Sequence, residues 1–171
     1  MDPMTNRSTP WFLLALLGIV SMTGCISRKV AVPDLVENSV VLANGEPSHI
    51  TVQHILVGFD GSVQGKSVTR SQAEAEALAK ELLARARDGE NFDRLVKEYT
   101  DDSAPGIYHL ANQGQASVIH SAKPDESVSP RHMMVPAFGD VGFPLQVGDV
   151  GVAEYNPQSS PFGWHIIKRL R

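Results

Sequence analysis

The run Ile50-Thr-Val-Gln-His-Ile-Leu-Val-Gly-Phe59 alternates its side chains like a half-buried β-strand. One face of this strand carries Val52, His54 and Leu56. A second run of the same kind, Phe162–Leu170, contains His165 directly before two isoleucines. An imidazole inside an apolar strand is either a satisfied core residue or part of a site. If the two strands are neighbours, His54 and His165 meet.

Two helices are predicted after the first strand. Ser71-Gln-Ala-Glu74 is a capping box, and the alanine-rich sequence from there to Arg87 favours a helix. Gly89 stands where a helix commonly ends in a left-handed residue. Asn91 then caps a second helix, whose apolar positions recur every three or four residues: Phe92, Leu95, Val96 and Tyr99.

The remaining sequence predicts two more strands and a short helix. Gly106–Leu110 and Val150–Tyr155 have the composition of strands, and Pro136 begins a helix that runs to Phe143. Residues 111–131 are polar and mixed, which is typical of a long surface loop. Strands at both ends with helices between them predict an α+β domain, here a four-stranded antiparallel sheet flanked by helices.

Composition limits the function classes. The 171 residues are 42% apolar and 20% charged, which permits a packed core in one ordinary domain with attachments. The formal net charge is −4, whereas a nucleic-acid binder usually carries a basic footprint. We therefore expect no nucleic-acid partner.

The N-terminus has the pattern of a targeting segment. Arg7 precedes the apolar run Trp11–Val20, which is short for a membrane span but suits a signal peptide. Met22-Thr-Gly-Cys25 then resembles the lipobox of bacterial lipoproteins, in which the cysteine is acylated. The alternative is an ordinary secretory signal with an incidental cysteine. Ile26 after the cysteine favours, by resemblance to lipoprotein sorting, the periplasmic face of the outer membrane.

These patterns predict three parts. Residues 1–24 are a lipoprotein signal peptide, and residues 25–48 are a lipidated N-terminus and flexible tether that ends in turn-forming residues. Residues 49–171 are the folded domain. Cys25 is the predicted lipidation site, and acyl chains on it would anchor the protein to the bacterial cell envelope.

The ordered motifs of the folded part resemble the parvulin peptidyl-prolyl cis/trans isomerases. The resemblance covers about residues 49–171 and includes these segments in family order: His54-Ile-Leu-Val, the capped helix, Asn91–Tyr99, Thr100-Asp-Asp-Ser, Met134-Val-Pro-Ala-Phe138, Phe143-Pro-Leu-Gln-Val-Gly, and Phe162-Gly-Trp-His-Ile-Ile-Lys. Together with the lipobox, this indicates a lipoprotein form of the family.

The resemblance implies a site. His54 and His165 match the family's paired histidines, and Asp102 matches a position that holds Asp or Cys. The matching apolar wall of the proline pocket comprises Leu110, Met134, Phe138 and Phe143. The alternatives are core residues for the apolar set and a helix-terminal cap for Asp102. His109, His120 and His132 match nothing in the family and lack metal-ligand spacing, so we expect no metal and no cofactor.

The sequence also departs from the family. Pro105–Leu110 keeps the leucine of a Gly-Gly-Asp-Leu-Gly-like segment but loses most of its glycines, and the connection 111–133 is longer than usual. The loop after the first strand offers only Lys66 and Arg70, so specificity for phosphorylated residues before proline is not expected.

The resemblance implies that the domain speeds rotation about X–Pro bonds in exported polypeptides and so assists their folding. Such a reaction makes no lasting covalent bond, and the histidines need only orient one another. The alternative is a non-catalytic, parvulin-like chaperone or binding module anchored by lipid. The implied partners are proline-containing polypeptides and, through Cys25, a membrane.

Overall fold

A computed structural model describes residues 32–120 and 126–171. The helices are α1 (Val32–Glu37), α2 (Gln72–Arg87), α3 (Phe92–Tyr99) and α4 (Pro136–Gly142). The strands are β1 (His49–Val57), β2 (Ile107–Ala111), β3 (Val128–Pro130), β4 (Val150–Ala153) and β5 (Trp164–Arg169). A short 3₁₀ helix, Arg131–Met133, joins β3 to α4.

The strands form one sheet in the order β3-β2-β1-β5-β4, so the first and last strands of the chain are central neighbours. The pairs β1–β2, β1–β5 and β4–β5 are antiparallel, while β2 and β3 are parallel. Every residue of β1 is buried, as expected of a strand with a partner on both edges and layers on both faces.

The prediction of an α+β domain is confirmed, but the prediction of a four-stranded, wholly antiparallel sheet is wrong. The fifth strand, Val128–Pro130, lies inside the segment that the sequence predicted to be a surface loop. It is three residues long, contains a proline and lies at the sheet edge, so no alternating apolar pattern marks it.

The predicted helix ends agree with the structure. Ser71 and Glu74 form the reciprocal capping box of α2, and the side chain of Asn91 accepts a hydrogen bond from the Arg94 amide at the start of α3. Gly89 follows α2 with a φ of 89°, in the left-handed region that a side chain would strain. Pro136 opens α4, where its missing N–H leaves no partner unsatisfied.

The sheet separates two apolar layers. Helices α2 and α3 cover one face, against Ile55, Val57 and Ile166. Helix α4 covers part of the other face, against Ile50, Val52 and Ile167. Because side chains alternate along β1 and β5, His54 and His165 point to the α4 side, where the cover is incomplete.

The segment before β1 is packed where the structure describes it, although it was predicted to be a flexible tether. Ser39 Oγ donates to the His49 carbonyl, the amide of Ser48 donates to the Val40 carbonyl, and the Glu46 carboxylate pairs with Arg131. Residues 39–48 are therefore held in place by hydrogen bonds within the segment and by contacts with β1 and the 3₁₀ helix.

The predicted signal peptide and Cys25 lie outside the described residues. Within 32–120 and 126–171, no helix combines the length and the apolar character needed to cross a membrane.

Candidate active site

The strand register brings the two histidines together on a diagonal. His54 lies opposite Ile167 and His165 lies opposite Leu56, so the two imidazoles are offset by one pleat on the same face. Their Nδ1 atoms are 3.2 Å apart, and their rings are 5.4 Å apart and nearly parallel at 15°. Both residues are buried, with 3% and 5% of their surface exposed.

Asp102 completes this group from the loop after α3. The loop is fixed by its neighbour Asp101, whose amide donates to the Leu56 carbonyl and whose carboxylate receives the Gly58 amide and Arg70. Asp102 does not cap α3, because Thr100 occupies the C-cap position. Its Oδ2 instead lies 3.2 Å from Nε2 of His54.

Tyr108 on β2 contacts the same carboxylate. Its hydroxyl donates to Asp102 Oδ2 over 3.1 Å, and its ring meets the His54 ring edge-on at 5.2 Å. Tyr108 was not among the site residues predicted from the sequence. The period of two along β2, which places Tyr108 on the same face as Leu110, is the pattern from which it could have been found.

The pKa values of these groups indicate an ionised Asp102 carboxylate and a neutral His165 imidazole. The hydrogen bond from His54, ahead of the opposing effect of burial, lowers the pKa of Asp102 to about 2. Burial, and then the proximity of His54, lowers the pKa of His165 to about 3. Burial and the nearby carboxylate raise the pKa of Tyr108 to about 12, so its hydroxyl remains a donor.

These charges assign the tautomers. An ionised carboxylate only accepts, so His54 Nε2–H donates to Asp102. In the neutral form of His54, Nδ1 is then an acceptor, and it receives the Nδ1–H of His165. Nε2 of His165 is left as a bare lone pair, buried and without a hydrogen-bond partner among the described residues. With His54 neutral, the order of donation is therefore His165 to His54 to Asp102.

An open cleft of about 320 Å³ lies above this group. Met134 and Phe138, two of the four apolar residues that the resemblance implied, line it, and the Phe138 ring stands nearly perpendicular to both imidazoles, with ring centres 5.2 and 5.5 Å apart. Leu110 and Phe143 do not line it. Both have no exposed surface and lie in the apolar layer that supports Phe138.

The rim of the cleft comes from residues that the sequence analysis did not select. Met133 and Phe162 are 62% and 42% exposed and extend the apolar surface outward. The remaining members of the lining are Leu56, Val63, Gln64, Tyr108 and Val135. Most of them lie in loops without periodicity, so only the fold reveals that they share a surface.

His109, His120 and His132 do not line this cleft. Nδ1 of His109 is 2.8 Å from the Thr51 hydroxyl, and burial, followed by the charge of Arg171, lowers its pKa. The backbone of His120 pairs with Ser127, and His132 is exposed in the 3₁₀ helix. In the two described ranges, no group of three or more potential ligand side chains is arranged to hold a metal ion.

A family model described as a PPIC-type PPIASE domain matches residues 39–170. The chain belongs to the parvulin family of peptidyl-prolyl isomerases. The match begins at residue 39, ahead of the predicted domain start at residue 49, in the segment that packs against β1 of the parvulin sheet.

Curated relatives agree with this membership. The chain is 31% identical over 117 residues to Chaperone SurA of Chromohalobacter salexigens, and the match covers 68% of this chain and 21% of that protein. It is 33% identical over 93 residues to Foldase protein PrsA of Geobacillus kaustophilus, and this match covers 54% of this chain and 27% of that protein. This parvulin chain thus spans only a minor part of these relatives.

Solved structures share the fold. The peptidyl-prolyl isomerase ESS1 from Candida albicans has a TM-score of 0.51 at 21% identity, and the match covers 77% of this chain and 66% of that one. The solution structure of TbPIN1 has a TM-score of 0.51 at 23% identity and covers 72% and 98% of the two chains. At these identities the likeness shows a parvulin fold only.

Proposed function

We propose that this domain catalyses cis/trans rotation about X–Pro bonds in polypeptides and thereby assists protein folding. The observation that carries the proposal is the open apolar cleft directly above the chain His165–His54–Asp102. His54, Asp102 and His165 are its proposed catalytic residues, and Met134 and Phe138 its proposed grip on the proline ring. Leu110 and Phe143 support that grip from below.

The chemistry needs only a change of environment. Amide resonance sets a barrier of about 18–20 kcal/mol to rotation, and each reduction of about 1.4 kcal/mol gives a tenfold faster rate. The twisted transition state has less charge separation than the planar amide, so an apolar wall favours it. Met134 and Phe138 supply such a wall, and the open rim lets the chain continue on both sides.

Asp102 adds an electrostatic contribution. Its carboxylate is ionised and its side chain is 34% exposed, so it faces a bound peptide while keeping its bond to His54. The carbonyl oxygen of a planar amide carries partial negative charge, which diminishes when the amide twists. A nearby anion therefore disfavours the planar form relative to the twisted one.

A second candidate is a binding module that holds extended apolar chains without useful turnover. Exposed Met133 and Phe162 favour it, because they extend the apolar surface beyond the size of one proline ring. Relatives titled chaperone and foldase are consistent with either function.

We further propose that the protein acts on exported polypeptides at the bacterial cell envelope, anchored by lipid on Cys25. The sequence Met22-Thr-Gly-Cys25 after an apolar run supports this. Metabolic labelling with a radioactive fatty acid tests it. Wild type is expected to take up label and Cys25→Ser is not, and an unlabelled wild type would contradict lipidation.

The catalytic proposal is tested by exchange NMR on an X–Pro peptide with the full chain in detergent. Wild type is compared with His54→Ala, Asp102→Ala and Phe138→Ala. We expect catalysis by wild type and the largest loss in Phe138→Ala, because it removes the wall of the cleft. Binding of the peptide without faster exchange would instead support the binding module.

A further inference from the structure

We propose that Tyr108 is a positioning residue of this site, whose hydroxyl holds the Asp102 carboxylate in the orientation that fixes the protonation pattern of His54 and His165. The inference rests on the proposed isomerase function for its kinetic consequence, but its structural part stands independently.

Two donors converge on one oxygen. Oδ2 of Asp102 accepts from His54 Nε2 at 3.2 Å and from the Tyr108 hydroxyl at 3.1 Å. A carboxylate oxygen has two lone pairs, so these two donors complete its inner coordination. The donors come from β1 and β2, which are paired directly, with Tyr108 opposite Val52. The carboxylate is therefore tied to the rigid centre of the sheet.

Asp102 itself belongs to a loop and needs such a tie. Its side chain is 34% exposed, so water competes with His54 for the carboxylate. A second donor on the same oxygen makes rotation away from His54 costly, because both hydrogen bonds break together. Tyr108 is half-buried, and its hydroxyl is held in place by the packing of its ring.

The orientation of Asp102 decides between two arrangements of the imidazole pair. With the carboxylate in place, His54 keeps its proton on Nε2, and His165 donates from Nδ1. Without it, His54 is free to donate from Nδ1 to His165, whose proton then lies on Nε2. That nitrogen is buried without a partner among the described residues, and the second arrangement would leave an unsatisfied donor beneath the cleft.

The ring of Tyr108 has a separate role, so the hydroxyl is tested alone. The ring packs edge-on against His54 and stands 6.1 Å from Phe138 in the cleft lining. Tyr108→Phe preserves these contacts and removes only the hydrogen bond. Tyr99→Phe is the matched control, because it removes a tyrosine hydroxyl that bonds to a charged group, Arg85, on the far face of the sheet.

The experiment combines ¹⁵N NMR of the histidine rings with exchange kinetics on the full chain. In wild type and Tyr99→Phe, we expect protonated Nε2 on His54, protonated Nδ1 on His165, and equal kcat/KM. In Tyr108→Phe, we expect a mixture of tautomers and kcat/KM lower by about tenfold, with the binding of peptide nearly unchanged.

The inference would be overturned if Tyr108→Phe kept the wild-type tautomers. It would also be overturned if the wild type were active and Tyr108→Phe had the same kcat/KM. If wild type itself does not speed exchange, the proposed function fails, and the ring nitrogen spectra still decide whether Tyr108 fixes the tautomers.

Discussion

Nδ1 of His54 lies 3.2 Å from Nδ1 of His165, although 111 positions separate the two residues in the chain. Two nitrogen atoms at this distance must share one proton, so one imidazole donates and the other accepts. Asp102 decides the direction because it accepts from the opposite side of His54. The pair and the carboxylate thus form one directed chain beneath an apolar cleft.

Loss of Phe138 from the wall of the cleft is predicted to lower activity by more than the accompanying loss of stability explains. Phe138→Ala and Phe92→Ala each remove a buried phenylalanine, from the α4 face and the α3 face of the sheet respectively. Both are expected to lower the free energy of unfolding, by about 3–5 kcal/mol. Only Phe138→Ala is expected to lower kcat/KM per folded molecule. Urea denaturation gives the folded fraction, and exchange NMR gives the activity. An equal loss of activity per folded molecule in Phe92→Ala would contradict this.

Acid is predicted to weaken the fold through His165. Its ordinary pKa is 6.5 and its folded pKa is about 3, so between these values the unfolded chain binds a proton that the folded protein does not. The free energy of unfolding therefore falls as the pH falls from 6.5, with a slope of at most about 1.4 kcal/mol per pH unit for one proton. The lowered pKa of Asp102, about 2 against an ordinary 3.8, acts in the same direction below pH 4.

The variant His165→Asn isolates this contribution. Its free energy of unfolding, measured by urea denaturation between pH 7 and about pH 4, is expected to depend less on pH than that of wild type. His109→Asn is the comparison, because burial also lowers the pKa of His109 but this residue does not line the cleft. If His165→Asn and wild type give parallel curves, His165 is not the neutral partner described above.

The meeting of His54 and His165 could be anticipated from strand alternation in two neighbouring strands, and the resemblance to the parvulins added Asp102 to them. The period of two places His54 on the face of Val52 and Leu56, and the structure agrees. The sequence could not show which apolar residues of the set are fully buried and which line the cleft. Leu110 and Met134 are both apolar members of the same layer, yet Leu110 is fully buried and Met134 lines the cleft, since a loop and a short helix leave one side open. Strand β3 was missed because Val-Ser-Pro has no strand pattern of its own.

The Arg131 side chain is predicted to hold the segment before β1 to helix α4. Its guanidinium pairs with Glu46 at 2.7 Å and Asp140 at 2.8 Å, and lies 4.8 Å from the centre of the Phe143 ring. Arg131 is only 15% exposed, so Arg131→Ala leaves Glu46 partly buried without its charge partner. We expect the free energy of unfolding to fall by about 1–3 kcal/mol.

Lys80→Ala provides the comparison for Arg131. It breaks an ion pair with Glu76 in which both side chains are well exposed, at 69% and 47%. Urea denaturation is expected to show no measurable change in this variant, because water screens such pairs. Equal losses of stability in the two variants would mean that the ion pairs of Arg131 do not hold the segment before β1 in place.

Gly106 is predicted to be essential for the floor of the site. It has a φ of 65°, and a Cβ there would lie 2.6 Å from the carbonyl oxygen of His54. Gly61 has a similar φ of 73° with nothing within 4 Å, so Gly61→Ala carries only the backbone strain of about 1–2 kcal/mol. Gly106→Ala is expected to lose more stability and most activity, measured by denaturation and exchange NMR. Similar values for both variants would show that the strand can shift to make room.

The most direct test of the central claim is exchange NMR on an X–Pro peptide with wild-type protein at catalytic concentration. Uncatalysed rotation takes about tens to hundreds of seconds, so cross-peaks between cis and trans resonances at a mixing time of about one second require catalysis. The cleft above His165, His54 and Asp102 predicts such cross-peaks. Peptide resonances that shift on binding but show no cross-peaks would contradict it.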